Sequence, residues 1–269
     1  MTRHAWLAAL GAALVLSVAA PLRAQTSITH PVTPAPPGAG FFTGYTFHMN
    51  AASMTGGGDP AFQWDADFGG DVDLVDYGKG RLNFLANYQV VMGDQFQLFD
   101  PNQGNYALEF SSSLWVGKTE IAGVFHHMSR HLGDRPKVFA VAWNEAGVRA
   151  SRLITRGPWR ASAQGTIAWI TNRAYVDYNW EGEGAGDVRY RLNRYWSAIG
   201  GASLTLIGVD QAKYGRGLQT GAHAEAGLRI DGTHGALELF AAYDRRIDAG
   251  LFDLQTRTFG LLGFRLLSR

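Results

Sequence analysis

The stretch Ala61-Phe62-Gln63-Trp64-Asp65-Ala66-Asp67-Phe68-Gly69-Gly70-Asp71-Val72-Asp73-Leu74 decides how this chain folds. Phe62, Trp64, Phe68, Val72 and Leu74 fall on one parity, and Gln63, Asp65, Asp67, Asp71 and Asp73 on the other. Successive side chains of a strand point to opposite faces, so this spacing gives one greasy face and one acidic face. A helix would scatter the four aspartates around its circumference. The segment reads as a strand wetted on one side only.

The same period of two recurs along the chain. Near 41–50, Phe41, Tyr45, Phe47 and Met49 oppose Gly44, Thr46, His48 and Asn50. Near 81–90, Leu82, Phe84, Tyr88 and Val90 oppose Arg81, Asn83, Asn87 and Gln89. Similar segments lie near 106–116, 159–169 and 218–230, and further ones near 118–130, 137–151, 174–180, 187–209, 235–248 and 255–267. That gives about twelve strands, or ten if the Tyr175 region and its neighbour are loop. Past residue 40 the only prolines are Pro60, Pro101, Pro136 and Pro158, each between alternating segments or at the start of one. A closed sheet imposes this distribution, because proline cannot donate to a hydrogen-bond ladder.

Upstream, residues 1–24 have a basic start (Arg3), an apolar run over 5–20, and then Pro21-Leu22-Arg23-Ala24, the pattern of a cleavable export signal. Residues 25–40 carry Pro31, Pro34, Pro36 and Pro37 and read as an extended periplasmic leader, with the barrel over 41–269. The chain has 46% hydrophobic but only 17% charged residues, and no cysteine. Without Arg3 and Arg23, 22 basic residues face 23 acidic ones, a net charge of −1 that gives nucleic acid no reason to bind. The expected fold is therefore all-β: a closed antiparallel transmembrane β-barrel in a bacterial outer membrane. An even strand count puts both termini on the periplasmic side. The tight connections at 78–80, 117–118 and 231–235 then lie there, and the longer ones at 93–104 and 209–217 outside. Phe259-Gly260-Leu261-Leu262-Gly263-Phe264-Arg265-Leu266-Leu267 resembles the C-terminal strand by which outer-membrane barrels are recognised for assembly, although here Ser268-Arg269 follows it. That resemblance implies the assembly machinery as a partner, beside membrane lipid and lipopolysaccharide.

For function, the barrel architecture alone points to a passive channel or a structural envelope component, with no cofactor and with an undefined oligomeric state. The acidic ladder Asp65, Asp67, Asp71 and Asp73 spreads over ~26 Å at ~3.3 Å per residue, too far to surround one ion. Its aspartates are expected to meet arginines such as Arg81, Arg160 and Arg229 across the lumen. Trp64, Trp115, Trp143, Trp159, Trp169, Trp180 and Trp196 are expected in interfacial girdles.

The alternative is an enzyme, and it rests on Phe125-His126-His127-Met128-Ser129-Arg130-His131-Leu132-Gly133-Asp134. His127 and Ser129 share one strand face with Ile121, Gly123 and Phe125, so the pair is expected to look toward lipid. A serine activated by a neighbouring histidine is the minimal apparatus for ester hydrolysis. The same patch offers His126, His127, His131 and Asp134 as metal-ligand candidates, of which the two adjacent histidines cannot share a site on one face. It could equally serve structurally, with the histidines and Arg130 bonding loop carbonyls or lipopolysaccharide phosphates.

His127-x-Ser129 at a strand end resembles the lipid A 3-O-deacylases, outer-membrane barrels with a His-Ser-Glu site that faces the membrane. The resemblance implies His127 as base, Ser129 as nucleophile, and hydrolysis of an ester of outer-leaflet lipopolysaccharide. The orienting acid would be Glu145 or Asp134. With a tight hairpin Ala140 or Val141 would stand opposite His127, and Glu145 reaches it only if the loop is several residues longer. The longer string His127-x-Ser129-x-His131-Leu132-Gly133-Asp134 resembles an uncharacterised family of exported bacterial proteins.

Overall fold

A computed structural model describes residues 39–56, 58–133, 135–136 and 139–268. The export signal expected over 1–24, and the leader expected over 25–40 except for its last two residues, lie outside them. Thirteen strands form one antiparallel sheet. They are β1 (Gly40–Phe41), β2 (Tyr45–Thr55), β3 (Trp64–Asp76), β4 (Arg81–Gly93), β5 (Asp100–Val116), β6 (Thr119–Leu132) and β7 (Val141–Arg156), then β8 (Trp159–Ala174), β9 (Tyr178–Arg191), β10 (Trp196–Val209), β11 (Gln219–Asp231), β12 (Gly235–Arg246) and β13 (Arg257–Ser268). Each pairs with its sequence neighbour from β2 to β13, and β13 returns to β2 through Gly260↔Thr55 to Leu267↔His48. The sheet is closed.

β1 adds no stave. Gly40 and Phe41 pair with Asp76 and Val75 of β3 on the edge that β2 occupies from Tyr45 onward, so β1 and β2 are one strand broken at 42–44. Phe42 has φ of 53° at the break. The barrel therefore has twelve staves, each paired with a neighbour on both sides, and an open edge in hydrocarbon would cost several kcal/mol per unpaired group.

Two-residue turns centred on Gly117 (φ 63°) and Gly157 (φ 59°) join staves at the end that carries the termini. Connections 56–63, 94–99, 133–140 and 247–256, and 210–218 with its single-turn helix α1 (Gln211–Tyr214), lie at the far end. The sequence divides differently from expectation in two regions, the first being 93–104, where β5 already begins at Asp100. The alternating run over 187–209 is not one strand but parts of β9 and β10, and 174–180 is not a separate one. The Asn193 side chain makes the hidden turn by accepting from the backbone N–H of Tyr195 (2.9 Å) and of Trp196 (3.0 Å).

The outer wall carries Phe68, Phe110, Leu114, Ile121, Phe125, Val148, Ile167, Trp169, Leu228, Leu239, Leu262 and Phe264, all exposed. A continuous apolar belt of this extent has no place in water. Inside, Asp73 and Glu120 hold Arg81, Glu109 holds Arg149, Asp65 and Asp244 hold Arg246, and Glu225 and Glu238 hold Arg265. The acidic ladder thus meets Arg81 and Arg246. Arg229 bonds Asp231 and Glu238 instead. Trp143 departs from the girdle: it is buried in the lumen, edge-on to Tyr178 with centroids 5.1 Å apart.

The far end of the lumen is plugged. Ile247, Ala249 and Leu251 fold inward and are buried, and Arg130 donates to the carbonyls of Ala249 (3.2 Å) and Gly250 (3.3 Å). Arg216 clamps the plug to the 175–177 connection that leads into β9, reaching Asp177 (2.5 Å) and Asp248 (2.6 Å). Burial pulls the Arg216 pKa down, but the bonds from Asp177 and Asp248 outweigh it and hold the guanidinium above its ordinary range. Removing one partner of a buried pair costs about 3–5 kcal/mol, because the charges left behind have no solvent. Arg216→Ala is therefore expected to lower the urea midpoint of the micelle-bound barrel and to open the 247–256 loop to protease. Removal of the exposed Arg194 should change stability by no more than about 0.5 kcal/mol. Equal midpoints for the two variants would refute the clamp.

Candidate active site

β6 carries two sets of side chains to two different surroundings. Glu120, Ala122, Val124, His126, Met128 and Arg130 are buried in the lumen, whereas Ile121, Gly123 and Phe125 are exposed on the outer wall. His127, Ser129 and His131 continue the outer set, each half-buried. The face expected for His127 and Ser129 is the one they occupy.

Register across the β6–β7 hairpin then selects their neighbours. The pairs are Arg130↔Val141, Ser129↔Ala142, Met128↔Trp143, His127↔Asn144 and His126↔Glu145. The connection, 133–140, is long, so the residue opposite His127 is neither Ala140 nor Val141. It is Asn144. His127 Nδ1 and Asn144 Oδ1 lie 2.6 Å apart. With Nδ1 protonated, the imidazole donates to the amide oxygen and leaves Nε2 as a base.

Glu145 goes the other way. It faces the lumen, where its Oε1 lies 2.8 Å from Nδ1 of His126. The barrel wall separates it from His127 and Ser129. Asp134, the other candidate acid, lies outside the described residues. Among the described residues no group of three or more His, Asp or Glu is placed to hold a metal ion. His131 has a different partner: its Nε2 lies 2.8 Å from Ser129 Oγ.

A bulge in β7–β8 helps to aim Asn144. Asn144 pairs with Asn172 and Glu145 with Ile170, which leaves Thr171 as the extra residue. Thr171 Oγ1 donates to the Asn144 carbonyl at 3.3 Å. Such bulges re-aim single side chains next to working sites. Behind the hairpin the lumen is solid: Met128 and Val141 are each 1% exposed and Trp143 7%. On the outer wall, Tyr106 stands opposite Ser129 in register, and its ring lies perpendicular to that of His131, with centroids 5.4 Å apart at 87°. Tyr88 extends this aromatic row, its ring 4.5 Å from that of Tyr106. Leu108 lies opposite His127 and is exposed.

The missed residue is thus Asn144. Its parity with Ala142 was readable; its register against His127 was not, because that depends on how many residues the 133–140 connection consumes.

Comparison with known proteins agrees on architecture. No family model and no curated protein sequence matches the chain. Among solved structures, the chain is similar to the outer membrane phospholipase A of Escherichia coli at 12% identity, with a TM-score of 0.52, over 83% of this chain and 96% of that one. The Salmonella typhi outer membrane phospholipase, a dimer with bound calcium, matches with the same identity and TM-score over 83% of this chain and 90% of that one. The Acinetobacter baumannii outer membrane protein Omp33 aligns at 9% identity and a TM-score of 0.42, over 84% of this chain and 97% of that one. The fold is that of an outer-membrane β-barrel.

Proposed function

We propose that this barrel is a serine hydrolase that cleaves acyl esters of lipids in the membrane around it, rather than a channel. One observation carries the reading: His127 and Asn144 are bonded on the outer wall, with Ser129 on the same face two residues along. Serine, imidazole and an oxygen that orients the imidazole are the three parts of acyl-transfer sites on unrelated folds, and the orienting group can be an amide. An amide suits this wall. It orients the imidazole without adding a charge to a side chain that faces lipid. The polar groups on this apolar wall are costly unless bonded, and His127, Ser129, His131 and Asn144 bond one another.

The substrate class follows from where the serine is. It opens sideways onto the belt, not into the lumen, and it lies near the far end of β6 where the glycerol and sugar esters of outer-leaflet lipids would meet it. Two barrels of similar fold are phospholipases by name, which favours glycerophospholipid esters beside those of lipid A. Mass spectrometry of both lipid fractions from cells expressing wild type, Ser129→Ala and His127→Ala tests the proposal. Wild type alone should release lysophospholipid or a lipid A species short of one acyl chain. Identical lipids in all three would overturn it.

The packed lumen supports the same choice. Its terminal half contains a cavity of about 340 Å³ beside Arg160, Asp187, Arg189 and Arg229, whereas deeper ones hold about 100 Å³ or less. Inside a barrel of this size, side chains long enough to cross it leave no continuous water path. Purified protein in planar bilayers is therefore expected to give no steady open-channel steps. Steps of constant size would restore the channel reading.

A further inference from the structure

We propose that Ser129 is served by two histidines with separate tasks: His131 takes the serine proton, and His127 works on the water that completes the reaction. The inference rests on the hydrolase reading above and goes beyond it in naming His131 as a catalytic residue. Its basis is a contact. Ser129 Oγ lies 2.8 Å from Nε2 of His131, whereas the His127 ring is turned across the hairpin to Asn144 at 2.6 Å. Residues 127, 129 and 131 share one face at ~6.6–7 Å per two residues, so the serine stands between two imidazoles.

The surroundings fit the division. The His131 ring packs perpendicular to that of Tyr106, the residue that faces Ser129 in register, and so is held where it reaches back to the hydroxyl. With the proton on Nδ1, its Nε2 accepts the bond from Ser129. His127 is held from the other side by the amide of Asn144, and among the described residues its Nε2 has no hydrogen-bond partner, on the wall where Leu108 is exposed opposite it.

The steps balance with water as the only co-reactant. Ser129 Oγ bonds to the ester carbonyl carbon as its proton passes to Nε2 of His131. The tetrahedral centre collapses, the bond from carbon to the alkoxy oxygen breaks, and the departing alcohol receives that proton. Water then attacks the acyl-serine, gives a proton to Nε2 of His127, and the Oγ–carbon bond breaks. Ser129 Oγ takes that proton back from His127 as it leaves, and the second product is the free fatty acid.

A fluorophosphonate probe and a short-chain p-nitrophenyl ester separate the two tasks, using the full chain in detergent micelles. The probe reports attack by Ser129 alone, and the ester reports whole turnover. His131→Ala is expected to slow labelling of Ser129 about 100-fold, the usual share of one general base. Added imidazole should restore much of it, which it would not do for a merely structural residue. His127→Ala should label within a few-fold of wild type yet turn over about 100-fold slower, with acyl-enzyme accumulating as a burst. Labelling of His131→Ala at the wild-type rate, with loss of labelling in His127→Ala, would overturn the assignment and leave the hydrolase intact. Absence of labelling and turnover in wild type would remove both. Heat-dependent gel mobility, unchanged across the variants, shows that each barrel is folded.

Discussion

Ser129→Ala is expected to abolish ester turnover by the purified barrel, by about 10⁴-fold or more, while leaving its fold untouched. Nucleophile loss in a serine hydrolase removes the covalent route altogether, and what survives is the background supplied by binding. Here the substitution deletes one hydroxyl from an outward, half-buried position between Tyr106 and Ala142, and among the described residues it releases only the bond to His131. The barrel ladder does not use that oxygen. Gel mobility and the β-type circular dichroism of the variant should match wild type, so a lost rate reports chemistry. Turnover within ten-fold of wild type would rule Ser129 out as nucleophile.

The next largest effect is expected from a pair of neighbours. Asn144→Leu should lower turnover by up to about 100-fold, the loss expected for His127→Ala itself, since His127 then loses the oxygen that holds its ring and its Nδ1 proton in place. Glu145→Gln, one residue along, should leave turnover within a few-fold of wild type. Its carboxylate meets His126 inside the lumen and reaches nothing on the outer wall. The contrast is a direct reading of strand register, because a slip of one residue exchanges the two faces. An inactive Glu145→Gln barrel beside an active Asn144→Leu barrel would mean that the hairpin pairs one residue away from the arrangement described.

Much of this was legible in the alternation of the sequence, and the reason is physical. A barrel wall separates two environments with a sheet one residue thick, so period-two patterning is imposed all round it. That is why the acid ladder on β3, the greasy belt, and the shared outward face of His127 and Ser129 could be read from residue types alone. Pairings across the hairpin are another matter. His127 meets Asn144 only because 133–140 uses eight residues between Leu132 and Val141, and loop length leaves no mark on alternation. The turn inside 187–209 was hidden because Leu192-Asn193-Arg194-Tyr195 contains neither Gly nor Pro; the Asn193 side chain was its only signal. Trp143 misled for a different reason. Aromatic residues of barrels are common at membrane interfaces, but here the far-end plug of 247–256 creates an apolar core within the lumen that buries one.

His127, Ser129, His131 and Asn144 all belong to a single hairpin, β6 with β7, and their supports come from the strands on either side, Tyr106 on β5 and the Thr171 bulge on β8. The working parts are thus joined by local pairings that do not need the seam between β13 and β2. It follows that the site is portable. Hairpins added or removed elsewhere around the circumference would change the girth of the barrel without changing which atoms meet on this one, so wider or narrower barrels could inherit the same chemistry as a single unit of about forty residues.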